Sequence, residues 1–290
     1  MAAPIPCRIG DEDRDGPSRQ QGDGLIMNLQ LNGKTALVTG STAGIGFAIA
    51  KVLAEEGAQV IVNGRTDERV RDAQRRIAAE APNSQIKSVA ADLSTSDGAS
   101  KIIETFPEVD ILINNVGIFE PRAFEETSDA DWLKFFEVNV LSGVRLSRHY
   151  LPAMKSHNWG RIVFISSESA ANIPAEMIHY GVTKTAQVAL ARGMAETTVG
   201  TGVTVNSVLP GPTLSEGVGT FLQQLAKDQG IAVEEVERQF FEKARPSSLL
   251  KRFIQPEEVA SMVAYVCSPL SSAVNGAALR VEGGVVRSIF

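Results

Sequence analysis

Tyr180 and Lys184 stand four residues apart in a 290-residue chain. On a helix that spacing stacks the two side chains on one face. A phenol, with a pKa near 10, is a poor acid or base at neutral pH, but a cation beside it favours the phenolate. At about 4 Å and an effective dielectric near 20 the attraction is roughly 4 kcal/mol. That would lower the phenol by roughly two to three pH units before desolvation opposes it. The pair is thus a candidate proton donor and acceptor, and Ser167 lies upstream at the end of an apolar run. A surface tyrosine and a solvated lysine sharing a helix face is the plainer reading, and the pair alone favours it.

What decides between the two is whether the surrounding elements build a site. Residues 35–39 are a short apolar run, read as a buried strand, that leads into Gly40, Ser41, Thr42, Ala43, Gly44, Ile45 and Gly46. An apolar helical pattern follows. Strand, glycine turn and helix offer backbone N–H groups and a helix N-terminus to a phosphate. In this arrangement Gly40 permits the turn, Gly44 lets a diphosphate approach, and Gly46 lets helix pack on strand. A purely structural glycine turn accounts for the same residues when the motif stands alone. The next strand, 59–63, ends at Gly64 and Arg65. An acid at that point would bind the free 2′-hydroxyl of NAD, whereas a guanidinium suits a 2′-phosphate by charge and geometry. Arg65 therefore favours NADP(H), with NAD(H) as the secondary cofactor, and a solvated surface arginine is the plainer reading of the same residue.

Further strands are expected at 86–91, 109–114, 160–166, 203–209 and 277–281, alternating with helices over 67–81, 96–106, 128–150 and 256–267. This alternation indicates parallel βαβ units: an α/β fold with a doubly wound, Rossmann-type sheet flanked by helices on both faces. No internal linker interrupts 28–290, so this stretch reads as one domain. Asn139 lies in an otherwise apolar helical run and must find partners, since an unpaired buried amide costs about 1–3 kcal/mol. Helical patterns at 218–227 and 233–243 break the rhythm and are read as a substrate lid over 214–252. The alanine-rich helix after Tyr180 fits either a subunit contact or packing on the sheet.

Charge and composition narrow the partners. The net charge of -6 shows no basic footprint for nucleic acid. No apolar run is long enough to span a bilayer. Cys7 and Cys267 are the two cysteines, which fits a reducing, cytoplasmic setting rather than a disulfide framework. Residues 1–27, polar and glycine-rich, are expected to be a disordered N-terminal extension, with Met27 as a candidate natural start.

From about Leu29 onward the chain resembles the short-chain dehydrogenases/reductases, including members of the 3-oxoacyl-thioester reductase type. Thr39 to Gly46 resembles that family's TGxxxGIG turn, Asn114-Asn115-Val116-Gly117 its NNAG motif with Val for Ala, and Tyr180 to Lys184 its YxxxK motif. Pro210, Gly211 and Thr213 resemble its nicotinamide-contacting segment, while Glu282 stands where relatives often have Asp. The resemblance implies a carbonyl–alcohol oxidoreductase with Asn139, Ser167, Tyr180 and Lys184 as the catalytic set. Tyr180 would be the acid/base and Ser167 would hold the substrate oxygen. Lys184 would contact the nicotinamide ribose, and Asn139 would support a water relaying protons to Lys184. Cofactor contacts are implied for Gly40, Ser41, Thr42, Gly44, Ile45, Gly46, Arg65, Asp92, Leu93, Asn115, Gly117, Tyr180, Lys184, Pro210, Gly211 and Thr213. The implied partners are a small carbonyl or alcohol substrate and further copies of the chain, as a homotetramer or dimer. A non-catalytic dinucleotide-binding redox sensor and an epimerase on the same fold are the alternatives.

Overall fold

The computed structural model describes residues 28–289, so the expected extension over 1–27, with Cys7 and Met27, lies outside the described residues. Seven strands form one parallel sheet: β1 (Thr35–Val38), β2 (Gln59–Gly64), β3 (Ile86–Ala90), β4 (Ile111–Asn114), β5 (Gly160–Ile165), β6 (Val203–Pro210) and β7 (Ala278–Val281). Their spatial order is β3-β2-β1-β4-β5-β6-β7. The order reverses between β1 and β4, and the carboxyl ends of strands at such a reversal form the natural ligand crevice.

The strands read as continuous apolar runs because both faces are covered. Side-chain alternation divides each strand between two cores. Ala36, Val38, Val60, Val62, Ile111, Ile113, Val163 and Ile165 pack with α1 (Gly44–Glu55), α2 (Asp67–Glu80) and, later in the chain, α9 (Pro256–Cys267). Leu37, Ile61, Leu112, Ile162 and Phe164 point the other way. They meet α3 (Ser96–Thr105), α5 (Ser142–Ser156) and α6 (Ile178–Glu196). This three-layer arrangement is the doubly wound, single-domain Rossmann-type fold that the βαβ rhythm indicates.

Most observed boundaries fall within one or two residues of expectation. The helical run after residue 128 departs from it. A serine–aspartate capping box starts α4 (Asp129–Phe136), and a π-helical turn, Glu137–Leu141, joins it to α5. The helix then continues through Pro152 to Ser156. The π turn carries Asn139, whose two amide ends need partners on a neighbouring loop. The insert forms α7 (Glu216–Gln229) and α8 (Val233–Lys243). They share a small core of Leu222, Ala226, Val236, Phe241 and Phe253, separate from the two main ones.

Candidate active site

The turn after β1 is shaped by what its glycines allow. Gly40 and Gly44 have φ of 61° and 57°, where a side chain is strained. A Cβ at Gly46 would run into Asn115 Nδ2 and the Gly40 carbonyl. Asn115 explains this closeness: its amide donates to the carbonyls of Thr39 (2.9 Å) and Gly40 (3.1 Å), tying β4 to the turn. The first turn of α1 carries no acidic residue, so its N-terminal amides present an unopposed positive end. A Cβ at Gly44 would stand 3.2 Å from Ser215 Cβ, so the space between turn and insert is kept by the missing side chain. This cradle fits a dinucleotide's diphosphate.

One cavity is lined by Ile45, Asn115, Gly117, Ser167, Tyr180, Lys184, Pro210, Gly211 and Thr213, together with Ser215 and Val218 of the insert. The structure thus brings together residues from the ends of β1, β4, β5 and β6 and from α6. Ser41 and Leu93 point elsewhere. The Ser41 hydroxyl donates to Val38 O (2.6 Å) and accepts from Asn63 N (3.0 Å), and Leu93 is buried in the second core. The Ser41 N–H is also committed, donating to Asn63 O at 2.8 Å. Thr42 packs against Gly64, whose Cβ would meet Thr42 Cγ2 at 2.5 Å. Arg65 follows on the exposed rim, and Asp92, also exposed, accepts from Ser94 N at 3.0 Å.

Tyr180 and Lys184 share a helix face as expected, but their electrostatics differ from the expectation. Burial pushes the Tyr180 phenol up to about 12, and a hydrogen bond with Ser167 draws it partly back. Lys184 is not among the groups that shift it. Its Nζ lies 5.7 Å from the tyrosine ring centroid and donates instead to Ile165 O (3.0 Å) and Gln187 Oε1 (3.2 Å). Burial pulls Lys184 down to about 7. With its Nζ committed to Ile165 O and Gln187 Oε1 and its charge disfavoured by burial, Lys184 does not supply the attraction that the spacing suggests, and desolvation dominates both groups.

Asn139 sits behind the cavity, 1% exposed. It accepts from Ile118 N (2.7 Å) and donates to Ile118 O and Thr183 Oγ1, both at 3.0 Å. Its main-chain carbonyl, in the π turn, accepts from Gln187 Nε2. Asn139 and Lys184 are therefore connected through the carboxamide of Gln187. Gln187 is a residue that the motifs do not mark. Its signal is a polar side chain three residues beyond Lys184 in an alanine-rich helix. Asn63 is another: buried at the end of β2, it accepts from Gly40 N (3.2 Å) and donates to Val89 O and Ala91 O of the neighbouring strand and its exit.

A glycine-rich dinucleotide cradle beside a Ser–Tyr–Lys cluster defines a Rossmann-type nicotinamide-cofactor site. A family profile described as short chain dehydrogenase matches residues 34–226, and the chain belongs to this family of oxidoreductases acting on alcohol and carbonyl groups. It is 50% identical over 264 residues to the uncharacterized oxidoreductase YvaG of Bacillus subtilis (strain 168), covering 91% of this chain and all of YvaG. It is 32% identical over 266 residues to the 3-oxoacyl-[acyl-carrier-protein] reductase FabG of Aquifex aeolicus (strain VF5), covering 89% of this chain and all of FabG. Among solved structures, L-sorbose reductase from Gluconobacter frateurii, complexed with NADPH and L-sorbose, superposes with a TM-score of 0.85 at 29% identity. That match covers 91% of this chain and all of the reductase.

Proposed function

We propose that the protein interconverts a small-molecule ketone and its secondary alcohol with NADP(H) as preferred cofactor and Tyr180 as the proton donor and acceptor. The observation that carries this reading is the convergence of Ser167, Tyr180 and Lys184 on one cavity that also contains Asn115, Gly117 and Gly211.

When bound, the nicotinamide supplies the hydride for the substrate carbon. The α1 N-terminus and the glycine turn hold the diphosphate, while exposed Arg65 stands at the end of β2 for a 2′-phosphate. Asp92 and the main chain at Leu93 flank the adenine side, and Pro210, Gly211 and Thr213 close the nicotinamide side. Ser167 orients the substrate oxygen toward the phenol. In reduction the phenol gives its proton to the developing alkoxide; burial, which raises the phenol, makes it a weaker acid, and the Ser167 hydrogen bond offsets part of that. Hydrogen bonds from Ser167 and Tyr180 strengthen as that charge appears, which makes them selective for the transition state. Lys184 orders the ribose side. The insert, through Ser215 and Val218, closes the cavity as a lid.

Relatives named for an acyl-carrier-protein thioester and for L-sorbose bracket a wide range of ketones. A cytoplasmic homotetramer belongs to the same reading, with the exposed Ala189 and Gly193 face of α6 available for a neighbouring subunit. The test is Tyr180→Phe in an NADPH screen against β-keto esters, sugars, steroids and quinones. Turnover should vanish while NADPH still binds with near-native affinity, and substantial residual turnover would remove Tyr180 from the role.

A further inference from the structure

Directly after Ser167 the chain places a carboxylate where one is costly. Glu168 is 3% exposed and accepts from Arg245 Nε at 2.8 Å. Arg245, itself 8% exposed, comes from the segment that follows α8, so the pair joins the insert to the turn carrying Ser167 across 77 positions of sequence. None of the motifs includes either residue. A surface ion pair of this kind would mean little, but a buried one leaves a strong uncompensated charge when either partner is lost. Ser169 Oγ also donates to Glu168 (3.3 Å), and Ser169 N donates to Ser167 Oγ (3.1 Å), so the carboxylate and the serine are held by the same short turn.

We propose that Glu168 and Arg245 are positioning residues which, as a balanced pair beside Ser167, set how tightly Tyr180 holds its proton. The proposal rests on the reading of Tyr180 as acid/base. The charged and titratable groups around the phenol are few. Lys184 and His179 lie on α6 itself; His179 packs edge-on against the rings of Trp132 and Phe135, and burial and then Arg122 lower its pKa. Glu168 comes from the turn after β5, and Arg245 from the insert. Two outer carboxylates complete the set: Glu176 reaches Arg245 Nη1 at 3.5 Å, and Glu282 bears on Glu168. The field of Glu168 raises the phenol and that of Arg245 lowers it. Seating the insert therefore brings in the positive half of the pair, which links closure over the cavity to proton handling within it.

Glu168→Gln keeps the hydrogen bond to Arg245 but removes the negative charge, and a guanidinium cannot give up its own charge in response. The test is an NMR titration of the full chain carrying ring-labelled tyrosine, with and without NADP⁺. Tyr180→Phe identifies the resonance among three tyrosines. E168Q should lower the Tyr180 midpoint by about one pH unit. The double variant E168Q/R245M should return it most of the way. Glu176→Gln, on an exposed carboxylate, stays folded whatever E168Q does and should lower the midpoint by less. An unchanged midpoint in the folded variants overturns the proposal. A midpoint that moves while the pH dependence of alcohol oxidation does not would uphold the pair's role and overturn Tyr180 as the acid/base instead.

Discussion

Lys184 Nζ donates to Gln187 Oε1 at 3.2 Å, and Gln187 passes the connection to the carbonyl of Asn139 in the π turn. Two helices and a buried cation are thereby joined through one carboxamide that can both donate and accept. Replacing Gln187 by Leu keeps its bulk but leaves that carbonyl and the ammonium each short of a partner. The expected cost is about 1–3 kcal/mol in stability, read as a lower Tm. The KM for NADPH should rise roughly tenfold as Lys184 loses its orientation, and Gln187→Glu should restore part of that loss by holding the ammonium charged.

Arg65 makes no hydrogen bond or ion pair with the described residues, so its guanidinium is free for a ligand. Arg65→Ser should raise the KM for NADPH by roughly ten- to a hundredfold, the scale of one charge-assisted phosphate contact. KM for NADH should barely move. Steady-state kinetics with both cofactors measure the difference, and equal effects on the two would remove Arg65 from the 2′-phosphate.

Lys184 couples the site to stability through pH. Its folded pKa, about 7, is below its ordinary value of 10.5. Between those values the unfolded chain binds a proton that the folded chain does not, so stability must rise with pH across that window. Below about 7 the full penalty of a buried ammonium is present. Thermal melting without cofactor should therefore show Tm climbing from pH 7 to 9. Lys184→Met should flatten that climb, raise Tm at pH 7 by roughly 3 °C or more, and abolish turnover.

The insert has its own small core, with Phe240 stacked on Phe253 at 5.0 Å and Phe241 edge-on to it at 5.1 Å. Phe253→Ala should weaken that core by about 3 kcal/mol. Hydrogen exchange is expected to quicken in α7 and α8 while β4, β5 and β6 keep their protection, because the insert opens as a separate unit. Substrate KM should rise with it. Uniform loss of protection across the sheet would contradict a lid that moves on its own.

The strands and most helices were legible because burial on two faces demands apolar runs, as at 160–165, and amphipathic helices demand a 3.6-residue stripe, as at Val70, Ala73 and Ile77. The glycine turn and the Tyr180–Lys184 spacing were legible for a related reason: backbone geometry and helix pitch are local. The extra turn at Asn139 was not, because it depends on partners that arrive from Ile118, Thr183 and Gln187, and neither was the helix continuing past Pro152, which local propensity argues against.

What the linear chain determined by itself was the order of elements, the carboxyl-end placement of the site and the residue types gathered there. What tertiary structure decided was the electrostatics. Desolvation depends on everything packed around a group, so it overturned the simple attraction expected between Lys184 and Tyr180. The same packing set Glu168 against Arg245 from 77 positions away and turned the side chains of Ser41 and Leu93 inward. Spacing along a helix fixes who can be neighbours, but only the folded interior fixes what charge those neighbours can carry.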